Sequence, residues 1–145
     1  MKALIQRVRH AQVDIDGLTV GRIGEGLLVL LGVEKNDSEE EVAKLVKKIL
    51  NLRIFNDDNE RMNLSLCDIR GEILLVSQFT LLADTRKGNR PGFSNGASPE
   101  HGKALYEQTI KHLSEQYSAP QTGQFGADMQ VSLCNNGPVT FMIEV

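Results

Sequence analysis

The feature that most constrains the fold is an apolar run, Gly26 to Val33, which presents apolar side chains to both faces of a strand. Such a strand must be covered on both sides, so the run predicts a central strand. The run is far too short to cross a bilayer. The first residues also lack the succession of charge, apolar stretch and small-residue cleavage site that is typical of a secretory signal. We therefore expect a cytosolic protein with no membrane span.

A hairpin is predicted before this strand. Apolar and polar residues alternate from Gln12 to Asp16, which is the period of a half-buried strand. Asp16-Gly17 follows, and both residues tolerate the positive φ that a tight hairpin turn requires. Leu18 to Ile23 then forms the returning strand.

Two helices are predicted from their start signals. Ser38 and Glu41 have the spacing of a capping box, and that helix should end near Arg53. Ser98 and Pro99 suit the N-cap and first position of the second helix. The apolar residues recur at helical spacing. They are Val42, Leu45, Val46 and Ile49 in the first helix and Tyr106, Ile110, Leu113 and Tyr117 in the second.

The remaining segments complete a mixed α/β pattern. A strand is expected within residues 73–79, a polar loop over 84–97, and three strands in the C-terminal third, the last over 139–145. The order is two strands, two strand–helix units and three strands. Two helices cannot cover both faces of seven strands, so we expect a three-layer α/β/β arrangement in one domain, residues 1–145.

Composition excludes several classes of protein. The 145 residues are 41% hydrophobic and 24% charged, which is typical of a soluble globular chain. Cys67 and Cys134 are the only cysteines and belong to no His/Cys cluster, so neither a metal site nor a cofactor is predicted. The net charge of −3 argues against a strong non-specific nucleic-acid binder. RNA binding would require a local basic patch.

Two segments could carry chemistry. Ser77-Gln78-Phe79-Thr80-Leu81 places polar residues where a buried strand leaves the core, and Asn136-Gly137-Pro138-Val139-Thr140 lies between two strands. Taken alone, the first can be a polar strand end and the second a simple turn. A functional interpretation of the second needs a cis bond at Pro138, and Gly137 would let the main chain approach a ligand closely.

Together these two segments resemble the D-aminoacyl-tRNA deacylase family. The opening, residues 1–8, and the loop Asp84 to Pro91 resemble the same family, so that the likeness covers essentially the whole chain. The resemblance implies the strand and helix order given above. It also implies a homodimer in which Gly137-Pro138 of one subunit enters the active site of the other as a chirality filter. By the same match, the pocket is lined by Ser77, Gln78, Phe79 and Thr80.

The expected substrate is an amino acid esterified to the 3′ end of tRNA. Thr80 is the obvious nucleophile, but a threonine hydroxyl is weak without an activating base. None of the three histidines, His10, His101 and His112, lies beside Thr80 in sequence. We therefore expect assistance from the 2′-hydroxyl of the terminal adenosine, with the backbone N–H groups of Phe79 and Thr80 stabilising the oxyanion. Glycyl-tRNA should also be cleaved, since glycine has no side chain to reject.

Three cations follow the first motif. Arg86, Lys87 and Arg90 can either be a solvated loop or contact phosphates near the acceptor end. Two rival functions remain open. A non-catalytic RNA-binding module would need stacking aromatic residues, but these make up only 5% of the chain. A small-molecule esterase or amidase using Thr80 or Ser77 would need a base and would be indifferent to tRNA.

Overall fold

The computed structural model describes residues 1–145 and contains eight strands and three α-helices. The strands are β1 (Lys2–Ile15), β2 (Leu18–Ile23), β3 (Gly26–Gly32), β4 (Phe55–Asn56), β5 (Met62–Leu64), β6 (Glu72–Ser77), β7 (Gln121–Thr122) and β8 (Gln130–Glu144). The helices are α1 (Glu39–Asn51), α2 (Leu66–Ile69) and α3 (Pro99–Gln116), with a 3-10 helix over Phe79–Leu82. No helix is both long and apolar enough to cross a membrane.

One long strand, β1, organises the sheet. Its first half pairs with β3 and its second half with β2, while β8 pairs antiparallel along its other edge. Strands β6 and β7 extend the sheet beyond β3 in parallel. The predicted turn at Asp16-Gly17 joins β1 and β2, and both of its residues have positive φ. Strand β3 is central, as its two apolar faces predicted.

Both predicted helix starts are confirmed. Ser38 and Glu41 form the capping box of α1, and the Ser98 side chain caps α3 with Pro99 at the first turn. Helix α1 ends at Asn51, slightly before the expected end at Arg53. Helix α2 and the β4–β5 hairpin were not predicted, because elements of two to four residues are too short to show a hydrophobic period.

The core has two parts, one on each face of the sheet. Leu27, Val29 and Leu31 of β3 pack against the helices in the larger cluster, whereas Leu28 joins a smaller cluster on the opposite face. Strand β2 folds over this second face. A Cβ on Gly21 would lie 2.6 Å from the carbonyl oxygen of Thr122 on β7. The three-layer α/β/β prediction is therefore confirmed, with one continuous sheet supplying both β layers.

The C-terminal third differs in detail from the expected three strands. It contains the short β7 and one long strand, β8, whose pairing with β1 is interrupted between Asn135 and Thr140. The strand expected over residues 73–79 ends at Ser77, and the 3-10 helix begins two residues later. In both places regular pairing stops within a segment that was singled out for chemistry.

Candidate functional site

A cavity of about 540 Å³ opens where β3 and β6 end and α3 begins, and this volume suits a small ligand. Its walls come from β3, β6, the loop before α3, the first turns of α3 and the segment before β8. Most of the lining residues are apolar. Among them are Leu31, Val76, Phe93, Ala97, Tyr106, Phe125, Met129 and Val131.

Three residues of the first motif line this cavity, namely Ser77, Gln78 and Phe79. Thr80 is not among the lining residues and is exposed at the mouth. Its hydroxyl oxygen accepts a hydrogen bond from the Gln78 side-chain amide. Phe79 and Thr80 are the first two residues of the 3-10 helix, where N–H groups have no acceptor within the helix. Two main-chain donors are thus available at the cavity mouth.

Aromatic side chains form much of the wall. Phe79 is 64% exposed and its ring centroid lies 5.0 Å from that of Phe93, which is also exposed. Deeper in, the Tyr106 hydroxyl donates a 2.9 Å hydrogen bond to the carbonyl oxygen of Leu75. Burial raises the pKa of Tyr106 to about 12. The Tyr106 hydroxyl hydrogen is thus directed at a main-chain carbonyl, and the residue forms part of the cavity wall.

Gly137 and Pro138 are exposed and lie outside the cavity of their own chain. The bond between them is cis, the state that the functional interpretation of this segment needs. Gly137 has φ +146, and a Cβ there would lie 2.6 Å from Cγ2 of Val139. The Asn135 side chain bridges this segment, because its Oδ1 accepts a 2.7 Å hydrogen bond from the N–H of Val139. Gly137 and Pro138 thus form a held, irregular part of β8, where pairing with β1 is interrupted, and neither residue lines the cavity.

A buried arginine that was not predicted as a site residue, Arg7, also holds this irregular part of β8. Arg7 is only 7% exposed, and its Nε donates to the Asn136 carbonyl at 2.8 Å. Its Nη1 donates to the Ile54 carbonyl at 2.7 Å and to Oδ1 of Asn56 at 3.1 Å. The alternation of the strand could have indicated that Arg7 is buried, because residue 7 falls on the same face of β1 as the buried Ala3 and Ile5.

The basic loop is only partly available for a ligand. Arg86 donates to both carboxylate oxygens of Asp84, at 2.9 and 2.8 Å. This guanidinium holds the pKa of Asp84 well below its ordinary value, so the pair stays ionised. Lys87 and Arg90 are exposed and form no ion pair within 4.0 Å. Two of the three predicted cations in the loop are therefore free.

No histidine or carboxylate is hydrogen-bonded to the Thr80 hydroxyl. His101 Nε2 lies 2.9 Å from the carbonyl oxygen of Asp37, His112 Nε2 lies 3.5 Å from Oε1 of Glu39, and His10 is exposed on β1. The two cysteines are free. No group of three or more His, Cys, Asp or Glu side chains is placed to hold a metal ion.

Comparisons with known proteins agree with this geometry. Residues 4–144 match the family model described as D-Tyr-tRNA(Tyr) deacylase. A D-aminoacyl-tRNA deacylase of Haemophilus influenzae (strain Rd) is 59% identical over 145 residues, covering 100% of both chains. One of Thermosipho africanus is 54% identical over 144 residues, covering 99% of this chain and 97% of the relative.

Solved structures extend the likeness to the fold. The structure titled c-Myc DNA Unwinding Element Binding Protein superposes with a TM-score of 0.95 at 40% identity, covering 100% of this chain and 99% of the other. A probable eukaryotic D-amino acid tRNA deacylase gives a TM-score of 0.85 at 18% identity, covering 99% and 98%. At 18% identity, the second comparison shows only that the fold is shared.

Proposed function

The chain belongs to the D-Tyr-tRNA(Tyr) deacylase family and is a D-aminoacyl-tRNA deacylase, and from this we propose that it works as a homodimer with shared active sites. In this arrangement Gly137-Pro138 of one subunit closes the cavity of the other. The observation that carries the proposal is an exposed, irregular part of β8 at Gly137-Pro138 that Arg7 and Asn135 hold and that does not line the cavity of its own chain. A rigid exposed turn of this kind suits insertion into a partner.

A surface for the partner lies on the same strand. Beyond Thr140, β8 pairs only with β1, so its other edge is open. Phe141 and Met142 are 39% and 48% exposed in this part of β8. An unpaired strand edge with exposed apolar side chains is a hazard unless something covers it. We propose that a second copy covers this edge and that the same contact brings Gly137-Pro138 to the partner's cavity.

The proposed role of this turn is to exclude L-amino acids. Its main-chain atoms would occupy the space that an L side chain needs, while a D side chain points the other way. Discrimination by clash needs no favourable contact with the D side chain, so it tolerates many D-amino acids. Glycine has nothing to reject, and we expect glycyl-tRNA, including glycine mischarged on tRNA(Ala), to be cleaved as well.

We propose that the hydrolysis uses little protein side-chain chemistry. The 2′-hydroxyl beside the ester assists the attacking water, and the N–H groups of Phe79 and Thr80 stabilise the developing oxyanion. Such donors typically contribute about 3–4 kcal/mol each. Thr80 serves through its main chain, because no imidazole or carboxylate is hydrogen-bonded to its hydroxyl. The cavity supplies positioning, which can lower a barrier by about 7–11 kcal/mol in favourable cases.

The tRNA itself is proposed to be held at its acceptor end. Lys87 and Arg90 lie in the loop that continues from the cavity mouth and are free to contact phosphates. Residues 1–145 would act as one domain in the cytoplasm, where charged tRNA is used, and would need neither a metal nor another cofactor.

One assay tests the proposal. The protein is incubated with D-Tyr-tRNA, L-Tyr-tRNA and a D-tyrosyl ester that lacks RNA. Release of tyrosine from D-Tyr-tRNA alone supports the editing function. Equal release from the simple ester would indicate a small-molecule esterase, and binding of tRNA without release would indicate an RNA-binding module.

A further inference from the structure

The β4–β5 hairpin contacts Arg7 from outside the cavity. None of its residues lines the cavity, yet Oδ1 of Asn56 accepts a 3.1 Å hydrogen bond from Nη1 of Arg7. The carbonyl oxygen of Ile54, just before the hairpin, accepts a 2.7 Å hydrogen bond from the same nitrogen. One amino group of the guanidinium is therefore held by the segment that leads into the hairpin and by its first strand.

The rest of the guanidinium lies against the Gly137-Pro138 segment. Its Nε donates a 2.8 Å hydrogen bond to the carbonyl oxygen of Asn136, and a Cβ built on Gly137 would lie 3.2 Å from Nη2. A guanidinium is planar and rigid, so its three nitrogens move together. A shift of Nη1 at the hairpin is therefore transmitted to the main chain at Asn136 and Gly137.

The hairpin itself is well fixed. Phe55, the neighbour of Asn56 on β4, is 3% exposed and belongs to the larger core cluster. On the other side, Oδ1 of Asp57 accepts hydrogen bonds from the N–H groups of Asn59 and Arg61, at 2.9 and 3.0 Å. Asn56 thus lies between a buried anchor and a closed turn, so its side chain offers Arg7 an acceptor from a fixed main chain.

We propose that Asn56 is a positioning residue for the choice between D and L substrates, which it influences by fixing the Arg7 guanidinium against Gly137. The inference rests on the proposed function, in which Gly137-Pro138 excludes L-amino acids from the partner's cavity. Selection by clash is sensitive to position, since a misplacement of about 1 Å can change a rate by roughly 10²-fold. Loss of the Asn56 contact should therefore admit L substrates while leaving the reaction of D substrates almost unaltered.

A purely structural role for Asn56 makes a different prediction. If its side chain only satisfies a buried guanidinium, its loss lowers the stability of the fold and leaves the preference for D over L as it was. The free energy of unfolding and the ratio of kcat/KM on the two substrates therefore separate the two roles when both are measured on the same variant.

The test variant is Asn56→Leu, which keeps a similar volume and removes the acceptor. Asn56→Asp is the conservative variant, because it retains an oxygen for Nη1. Asn59→Leu is the matched control in the same hairpin, since only the main-chain N–H of Asn59 takes part in a hydrogen bond. The dimeric protein is assayed with D-Tyr-tRNA and L-Tyr-tRNA at high enzyme concentration, and urea unfolding is followed in parallel.

We expect the D to L ratio of kcat/KM to fall by about fivefold in Asn56→Leu, through faster hydrolysis of L-Tyr-tRNA. Hydrolysis of D-Tyr-tRNA should stay within about twofold of the wild type, and the ratio should be retained in Asn56→Asp and Asn59→Leu. A folded Asn56→Leu protein with the wild-type ratio would overturn the inference, whether or not its stability is lower.

A double substitution tests whether Asn56 acts through Arg7. Arg7→Met removes every donor that Asn56 could hold, so adding Asn56→Leu to it should change the D to L ratio no further. Independent, additive losses from the two substitutions would contradict transmission through the guanidinium.

Gly137→Ala in the same assay separates this inference from the proposed function. If Gly137→Ala alters the D to L ratio and Asn56→Leu does not, only the inference about Asn56 fails. If Gly137→Ala keeps the wild-type ratio, the proposed role of the Gly137-Pro138 segment fails, and the role of Asn56 fails with it.

Discussion

Arg7 Nε donates a 2.8 Å hydrogen bond to the carbonyl oxygen of Asn136, the residue that precedes Gly137. The same guanidinium holds Ile54 and Asn56, so one buried cation ties the turn at Gly137-Pro138 to the segment after α1. Its positive charge faces carbonyl and amide oxygens, with no carboxylate within 4.0 Å. The position of the turn depends on this side chain.

Arg7→Lys should therefore weaken the selection of D over L substrates. A lysine keeps the charge but cannot reproduce the fork of three hydrogen bonds. We expect the ratio of kcat/KM for D-Tyr-tRNA to that for L-Tyr-tRNA to fall by at least about tenfold, the equivalent of roughly 1.4 kcal/mol. Arg9→Lys, on the exposed neighbour in the same strand, is the control and should leave the ratio unchanged. An unaltered ratio in a folded Arg7→Lys protein would remove Arg7 from the account.

Gly137→Ala should damage the turn more than a comparable change elsewhere. A Cβ would meet Val139 Cγ2 at 2.6 Å and Val139 N at 2.9 Å, in a backbone region that L residues rarely adopt. Gly17→Ala is the matched control, since Gly17 also has positive φ but has no atom within 4 Å of the added Cβ.

Both variants should lose about 1–3 kcal/mol of stability from backbone strain, with the larger loss in Gly137→Ala because of the added clash, as measured by denaturant unfolding. Only Gly137→Ala should also change the ratio of D to L hydrolysis. If both variants kept the wild-type ratio, Gly137 would have no part in chiral selection.

Thr80→Ala should retain activity within about tenfold of the wild type. The hydroxyl oxygen accepts from Gln78 and has no base to activate it, whereas the backbone N–H survives the substitution. Single-turnover hydrolysis of D-Tyr-tRNA measures the chemical step directly. A loss of about 10⁴-fold, the scale of removing a member of a catalytic triad, would establish Thr80 as the nucleophile instead.

The buried Tyr106 should make the free energy of unfolding depend on pH in the alkaline range. Burial raises its pKa from 10.0 to about 12, so the folded protein retains a proton that the unfolded chain loses in this interval. The free energy of unfolding should then fall by about 2 kcal/mol as pH rises from 10 to 12.

Tyr106→Phe should flatten this dependence and should cost about 1 kcal/mol at neutral pH, because the Leu75 carbonyl loses its donor. Urea unfolding of both proteins at several pH values measures the effect. The same slope in both proteins would mean that another group is responsible.

Asp84→Asn should strengthen tRNA binding at low salt. The substitution removes the carboxylate that engages Arg86 and adds a third free cation to Lys87 and Arg90. We expect the salt slope of kcat/KM to become steeper by about one unit. Arg86→Gln is the complementary variant. Because Asp84 already neutralises Arg86, its removal should leave the salt slope of kcat/KM unchanged. A slope that is unchanged in Asp84→Asn would show that this loop does not contact phosphates.

Local rules predicted most of the fold. The capping signals at Ser38 and Ser98 and the turn at Asp16-Gly17 depend only on neighbouring residues, and all three lie where expected. The continuous β8 was not predicted, because pairing with β1 on both sides of residue 137 is a long-range property. The two-residue strand β4 is likewise held by its partner rather than by its own sequence.

The functional site was harder to predict from such local rules. Ser77, Gln78 and Phe79 line the cavity, whereas Thr80, the next residue of the 3-10 helix, does not. Arg7 was overlooked, since only the fold shows that a guanidinium on an apolar face reaches three oxygens from distant segments. The pairing of Arg86 with Asp84 also needed side-chain geometry.

The most direct test of the central claim is a crystal structure of the dimer with a D-tyrosyl-adenosine analogue whose ester is replaced by an amide. We predict that main-chain atoms of Gly137 and Pro138 from one subunit lie within about 4 Å of the amino acid bound in the other, on the side where an L side chain would project. A ligand enclosed by a single subunit, with Gly137 and Pro138 of the other subunit out of contact, would contradict the account.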